Sequence, residues 1–216
     1  TYYFQKNKGF AVARNKAIEL SKGKWIMIVD HDDICQKERL KIQHDDIKNN
    51  PDRKLFFGNC IFFDNINKSY SRFDLLEKTS GVKIYDLNFD KEISTNNLIK
   101  YGCFISSSSV AFCKKTYQKI KGFNEKYRYI ADYDFFYRLS LVENIFCSRK
   151  ILCSWRIHEN QSSEKNKNIT NFELCKFYTG VYFNNRIKLN IKIKLFFRHL
   201  SLLYLMGKYY IFFYYK

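Results

Sequence analysis

The apolar positions of this chain fall into short unbroken runs separated by stretches with helical spacing. The first run, Ile26-Met27-Ile28-Val29, is partly β-branched and free of polar residues. It predicts a strand buried on both faces and central in a parallel sheet. It follows "GFAVARNKAIELSKGK" from Gly9, where Ala11, Ala13, Ala17 and Leu20 are good helix formers and Gly23 suits the stop. A helix feeding directly into a buried strand is one step of a doubly wound sheet. Lys37 to Asn49 predicts a second helix, polar on most faces and ended by Pro51. "KLFFGNCIFFD" predicts a strand with a hairpin partner in "SYSRFD". Leu75 to Asn88 has no clear rhythm, and Ile93 to Tyr101 reads as a short helix. "SSSSVAFCKK" predicts a strand running into the helix "KTYQKIKG"; "GFNEKYRYI" is a loop, "ADYDFFYRLSLVE" a helix and "ILCSWRIH" a last strand.

The strand at Ile26 to Val29 ends in Asp30-His31-Asp32-Asp33. Burying a carboxylate without a partner is costly, so these acids are expected just past the strand's carboxyl end. Ligands bind at that edge in open α/β sheets. One Asp would serve as a helix cap; a cap does not explain three. In an extended segment residues i and i+2 point the same way, so Asp30 and Asp32 present oxygens to one site while His31 points away. Hard oxygen ligands suit magnesium or manganese, which in turn bridge phosphate oxygens.

A second acidic cluster stands in "YIADYDFFYRL". On a helix, Asp132 and Asp134 are separated by about 200° and cannot both face one cleft. Asp134 and Arg138 are i and i+4, an ordinary stabilising pair. Asp132 is the freer carboxylate and is a candidate general base, with helix capping as its simpler alternative.

Composition adds a charge problem. The chain has 216 residues, 46% hydrophobic, with 38 Lys+Arg against 21 Asp+Glu and a net charge of +17. That length supports one full core with an appendage. The charge points to a polyanion: nucleic acid, an anionic membrane or phosphorylated substrates. A single Pro and eight Gly argue against a disordered or collagen-like chain. Seven cysteines stand at 35, 60, 103, 113, 147, 153 and 175, an odd count with no C-x-x-C spacing. Neither a zinc cluster nor a disulfide framework is indicated, and scattered free thiols fit the core of a protein in a reducing compartment. From Leu174 to Lys216 there are eight Lys or Arg and no acidic residue. A basic, aromatic-rich amphipathic helix lying in a membrane interface fits this stretch better than a spanning helix, because Arg198, His199 and Lys208 interrupt it. The alternative is a helix packed on the domain with its basic face in water.

Taken together, "NKGFAVARNKAIELSKGKWIMIVDHDDI", "GFNEKYRYIADYDFFYRL" and "WRIHENQSS" resemble, in order, three motifs of the family 2 glycosyltransferases. The resemblance covers roughly Asn7 to Ser163. It implies an α/β, Rossmann-like GT-A fold with a mostly parallel central sheet, and a helical C-terminal tail. On this basis residues 1–165 are expected to be a partial catalytic domain and 166–216 the tail. It also implies inverting transfer from a nucleotide sugar, expected to be a UDP-sugar, with a divalent metal (manganese or magnesium) as cofactor. The expected acceptor is a glycan or lipid-linked acceptor in cell-surface polysaccharide or lipopolysaccharide biosynthesis. By position, Asp132 matches the catalytic base. Asp32 matches a direct metal ligand, Asp30 a metal or ribose contact, and His158 a histidine that ligates metal in some members. Asn7, Gly9, Arg14 and Asn15 match positions near the donor. A cytoplasmic protein held peripherally on the inner face of the cell membrane follows, with an anionic membrane surface as partner and no nucleic acid.

Two departures stand out. The family's Glu before the base is Ala131 here, which removes a supporting carboxylate. The family also begins with two or three βα units, roughly 30 residues each, that carry the nucleotide-base pocket. The chain does not begin with Met, so an N-terminally truncated fragment is expected, with doubtful turnover of its own and one flank of the Ile26–Val29 strand exposed. Two other classes compete. A metal-dependent nucleotidyltransferase would use paired carboxylates but leaves "GFNEKYRYIADYDFF" unexplained. A non-enzymatic nucleic-acid binder would explain charge and aromatics, but the basic residues pool in the tail.

Overall fold

A computed structural model describes residues 2–64, 69–91, 93–158, 161, 166–184, 187 and 189–214, with the side chains of 194, 198 and 205–214 outside the description. The chain opens on helix α1 (Phe10–Leu20), strand β1 (Trp25–Met27), the short β2 (Ile34–Cys35) and helix α2 (Arg39–Asn49). Strand β3 (Arg53–Phe63) and β4 (Ser69–Ser71) form the expected hairpin, with Phe62 opposite Tyr70. Helix α3 (Arg72–Ser80) and a 3₁₀ turn at Ile84–Asp86 fill the stretch that has no clear rhythm in sequence, and α4 (Ile93–Tyr101) follows. A 3₁₀ turn at Ser107–Ser109 leads into β5 (Ala111–Cys113), α5 (Lys114–Lys119), α6 (Ala131–Ser140), β6 (Asn144–Arg156), α7 (Lys167–Tyr182) and α8 (Leu189–Tyr214).

The sheet runs β1-β5-β3-β6-β2, with β4 paired to β3 off this path. The mixed α/β architecture stands as expected, but the expectation of a mostly parallel sheet does not. Among the described residues only β3 and β6 pair in parallel; β1·β5, β3·β5, β3·β4 and β2·β6 are antiparallel. The expectation of a central, doubly buried Ile26–Val29 is corrected too. Among the described residues β1 is the outermost strand on its side, pairing Ile26 with Phe112 of β5, and its other flank is unpaired, as expected for the Ile26–Val29 strand. Its apolar run alternates instead of being buried throughout: Ile26 and Ile28 are buried, whereas Val29 is 49% exposed. The long strands β3 and β6 hold the centre, and Leu55, Phe56 and Phe57 of β3 are wholly buried. The serine run also differs from its expected strand. Ser107 to Ser109 curl into a 3₁₀ turn, and extended pairing starts only at Ala111.

One buried cation fixes the end of β1. Arg39 of α2 is inaccessible to solvent. Its guanidinium donates to the carbonyls of Ile28 (3.1 Å) and Val110 (2.9 Å), and its Nε to Gln43 Oε1 (3.0 Å). Gln43 in turn donates to the Ser109 carbonyl at 3.0 Å. A buried charge needs such satisfaction. Here it ties the two segments that carry Asp30 and Ser107 to one helix.

The buried cluster continues past residue 166. Phe177 of α7 packs on Tyr133 (4.7 Å between centroids) and Tyr137 (5.2 Å) of α6. Ile191 and Leu195 of α8 join the same buried cluster as Leu55 and Phe112. Among the described residues no helix is long and apolar enough to cross a membrane.

Candidate active site

Past β1 the chain turns at once, with the Asp33 N–H donating to the Asp30 carbonyl at 3.1 Å. This turn forms one wall of a cleft of about 730 Å³. The opposite wall is the start of α6 with Asp132, and Arg14 of α1 and Ser107 stand between them. Arg14 Nη2 lies 2.5 Å from Asp30 Oδ1, and Arg14 Nη1 donates to Ser107 Oγ at 3.4 Å. Ser107 Oγ donates to Asp132 Oδ2 at 3.3 Å, and the Asp30 N–H donates to Ser108 Oγ at 3.0 Å. The two acidic clusters are therefore joined through one guanidinium and one hydroxyl.

Their electrostatics diverge. Burial pushes the Asp132 carboxyl up, and nearby Asp30 adds to this; Arg14, the Tyr133 N–H and Ser107 pull it back only in part. A carboxyl displaced upward is tuned toward accepting a proton near neutral pH. Burial pushes Asp32 up as well. The hydrogen bond to His158, its own backbone and the His31 imidazole outweigh burial, so its carboxyl lies below the ordinary range. His158 Nε2 sits 3.1 Å from Asp32 Oδ2. His31 does not point away from the pair as the sequence predicts: its side chain, 97% exposed, borders the same cleft, with Nδ1 3.9 Å from Asp32 Oδ1. Asp33 accepts the Arg156 N–H at 3.2 Å and braces the turn against β6.

The remaining predicted positions separate. Asn7 and Gly9 line the cleft, and Asn7 Oδ1 accepts the Gly9 N–H at 3.0 Å. Gly9 opens α1 at φ +91°, where a side chain would be strained even though no atom stands within 4 Å of its Cβ position. Asn15 is not brought into the cleft. Its Oδ1 accepts from Tyr117 Oη (2.8 Å) and the Phe123 N–H (2.9 Å), and its Nδ2 donates to the Phe123 carbonyl (2.9 Å) and Glu125 Oε1 (2.9 Å). All of its hydrogen-bonding capacity goes into pinning the "GFNE" loop to α1. Asp134 is turned away into its pair with Arg138, at 2.7 Å.

Two cleft-lining residues with polar contacts, Ser107 and Arg72, and Ser108 behind Asp30 lay outside the sequence prediction. Ser107 and Ser108 belong to the four-serine run, whose small hydroxyls ahead of Val110 are the one signal for them. Arg72 donates to the carbonyls of Cys103 and Phe104, and its guanidinium lies 5.6 Å from the Trp155 ring centre. Nothing local marks it. Most of the polar segment after His158 lies outside the described residues.

Comparison with known proteins follows the same lines. An uncharacterized glycosyltransferase of Rickettsia prowazekii (strain Madrid E) is 29% identical over 173 residues, 75% of this chain and 48% of that protein. One from Methanocaldococcus jannaschii is 30% identical over 157 residues, 68% of this chain and 49% of that protein. The putative teichuronic acid biosynthesis glycosyltransferase TuaG of Bacillus subtilis (strain 168) is 44% identical over 41 residues, 19% of this chain and 16% of its own length. The chain thus spans about half the length of the first two relatives. Residues 1–349 of TarS from S. aureus share the fold, with a TM-score of 0.62, 14% identity, and 92% of this chain covered against 53% of that one. The family model described as glycosyl transferase family 2 matches residues 1–120, more than half of the 216, and the chain belongs to that family.

Proposed function

We propose that this chain is the catalytic part of an inverting glycosyltransferase that moves a sugar from a nucleoside-diphosphate sugar, expected to be a UDP-sugar, to an acceptor hydroxyl. The observation that carries this is the placement of Asp132, half-buried and with its carboxyl pushed up, across one cleft from the Asp30–Asp33 turn. Asp132 Oδ2 takes the acceptor proton, the freed oxygen attacks the anomeric carbon, and the nucleoside diphosphate leaves from the opposite face. The anomeric centre inverts. Arg14, 15% exposed between Asp30 and Ser107, supplies positive charge near the leaving diphosphate. Asn7 and Gly9 border the donor side.

The donor set fits a divalent cation. Two cis ligands about 2.1 Å from one octahedral ion lie about 3.0 Å apart, and Asp32 Oδ2 and His158 Nε2 are separated by 3.1 Å. Asp32 and His158 would hold the ion. Asp30, engaged by Arg14, is the weaker ligand of the three. Among the described residues no group of three His, Cys, Asp or Glu gathers, so substrate phosphates and water would complete the shell, as is usual for magnesium. Bound there, magnesium or manganese neutralises diphosphate charge. Asp132→Asn tests the whole reading: calorimetric binding of a UDP-sugar in the presence of manganese should persist while transfer falls about 10²–10⁴-fold. Near-normal transfer would dismiss it.

The acceptor is best read as a glycan or lipid-linked glycan at the cytoplasmic face of a membrane. The name of TuaG supports the polysaccharide class, and α8 supports the location. Ile191 and Leu195 of α8 are buried on the domain, whereas Leu189, Ile193, Phe196, Phe197, Leu200, Leu203 and Tyr204 are 46–73% exposed. Those positions recur at helical spacing on one outward face, in a stretch with no acidic residue. Apolar area beside lysines and arginines fits an anionic leaflet, at about 1 kcal/mol per basic residue. Vesicles of phosphatidylglycerol should co-sediment with the protein, less so at high salt. Unchanged sedimentation by a Phe196→Ser, Phe197→Ser variant would dismiss the face.

A further inference from the structure

Glu173 lies on α7, in the last turn before the acid-free C-terminal stretch, and is only 7% exposed. It forms no salt bridge among the described residues. Instead its carboxylate receives three successive backbone donors: the Arg128 N–H on Oε1 at 2.7 Å, and the N–H groups of Tyr129 and Ile130 on Oε2 at 2.9 and 3.2 Å. These residues immediately precede α6, whose N-cap Ile130 has no side-chain cap of its own. The first bond of α6 then runs from the Asp134 N–H to the Ile130 carbonyl at 3.0 Å. Asp132 stands two residues beyond the clamp.

A carboxylate that accepts several N–H groups makes strong charge-assisted bonds, and three fix a turn's orientation as well as its distance. The clamp also cannot drift. Four residues on, Phe177 packs against Tyr133 and Tyr137 of α6, so α7 is keyed to the same helix whose start Glu173 holds. Residue 131, the first position of α6, is Ala131, inaccessible to solvent, and supplies no carboxylate to this turn.

We infer that Glu173 is a positioning residue for the base: it clamps the 128–130 turn so that Asp132 faces the cleft and Arg128 and Tyr129 form its rim. The inference rests on the reading of Asp132 as the base. It also makes α7 part of the active-site architecture.

The test uses the intact protein with Glu173→Gln, Asp132→Asn and the double variant. Glu173→Gln keeps the size but turns one acceptor into an NH₂ that faces backbone donors. A misplacement of about 1 Å near the reacting atoms can cost about 10²-fold. Glu173→Gln should therefore lower kcat about 10–100-fold and leave the donor Kd within about twofold. The double variant should be no slower than Asp132→Asn alone, because both act through one group. An unchanged kcat in Glu173→Gln, or a full additional loss in the double variant, overturns the inference. Retained turnover in Asp132→Asn overturns the base reading instead, which separates the two failures. Hydrogen exchange on the unmodified protein needs no variant. The amides of Arg128, Tyr129 and Ile130 should be protected along with α6, and free exchange there overturns the clamp outright.

Discussion

Asp30 and Asp32 stand two residues apart in a hydrogen-bonded turn, and Asp132 and Asp134 stand two apart on a helix. The spacing is the same; the outcomes differ because the backbone differs. After β1 the turn closed by the Asp33 N–H on the Asp30 carbonyl, rather than the two-residue period expected of an extended segment, brings both carboxylates to one cleft with Arg14, and His158 stands 3.1 Å from Asp32. On α6 the same step rotates the second carboxylate about 200°. Asp132 reaches the cleft, while Asp134 is buried against Arg138, whose guanidinium continues to the carbonyls of Ile120 (2.6 Å) and Gly122 (2.7 Å). One pair is thus fit to hold a ligand. The other divides between a site and a scaffold.

The largest effect should follow from removing the one helical carboxylate in the cleft. In Asp132→Asn transfer should fall about 10²–10⁴-fold, while Asp134→Asn, which keeps an acceptor for Arg138, should leave kcat within a few-fold. Steady-state rates at saturating donor decide it. If Asp134→Asn were the slower enzyme, the helical pair would have been assigned the wrong way round.

Next comes the scaffold itself. Asp134→Ala leaves Arg138 with two carbonyl acceptors and no counter-charge. Breaking a buried pair costs about 3–5 kcal/mol, and the 25% exposure of Arg138 moves the expectation to about 2–3 kcal/mol. Urea denaturation reads it. Asp30→Ala, at a side chain 38% exposed, should cost about 1 kcal/mol or less.

What was legible in sequence follows the same division between local and distant. The helix at Ile93–Tyr101, the β3–β4 hairpin and the Asp134–Arg138 pair were all readable, because each is set by residues within a few positions of one another. Asp30, Asp32, Asp132 and His158 were picked out because motifs mark them. The misread parts depend on distant partners. An apolar run such as Ile26–Val29 reads the same whether its neighbour is parallel or not, and only pairing with β5, more than eighty residues on, makes its ladder antiparallel. Ser107 gains its meaning from Arg14 and Asp132, 93 and 25 residues away. Asn15 looks like a donor contact until Phe123 and Glu125 claim its amide.

A smaller effect separates the two members of the turn pair. Asp30 is held by Arg14, and Asp32 faces His158. His158→Ala should weaken manganese-dependent binding of a UDP-sugar about 10–100-fold and leave metal-independent nucleotide binding unaltered. Asp30→Asn should weaken both. Titration calorimetry with and without manganese reads the difference, and equal losses for both variants in both buffers would erase the distinction within the turn.

The smallest effect is on stability against pH, measured in chelator so that no cation intervenes, and here the two clusters should have opposite signs. The folded state raises the Asp132 carboxyl above its ordinary value, with burial as the main cause. It therefore binds that proton more tightly than the unfolded chain, and ionising Asp132 costs stability. The cost is absent below the ordinary carboxylate range near 3.9; it grows as pH rises through the displaced value and is complete above it. Asp32 is held below its ordinary value, because His158 and its backbone outweigh burial. Its contribution is favourable above the ordinary range and is lost as pH falls through the displaced value. Melting curves from pH 3 to 8 should therefore show Asp132→Asn above the parent protein at neutral pH, with the gap closing in acid. Asp32→Asn should lie below the parent at neutral pH, with its gap closing in acid from the other side. Curves displaced in the same direction would mean that the turn after β1 and the helix start impose one environment on their aspartates, and the contrast between them would fail.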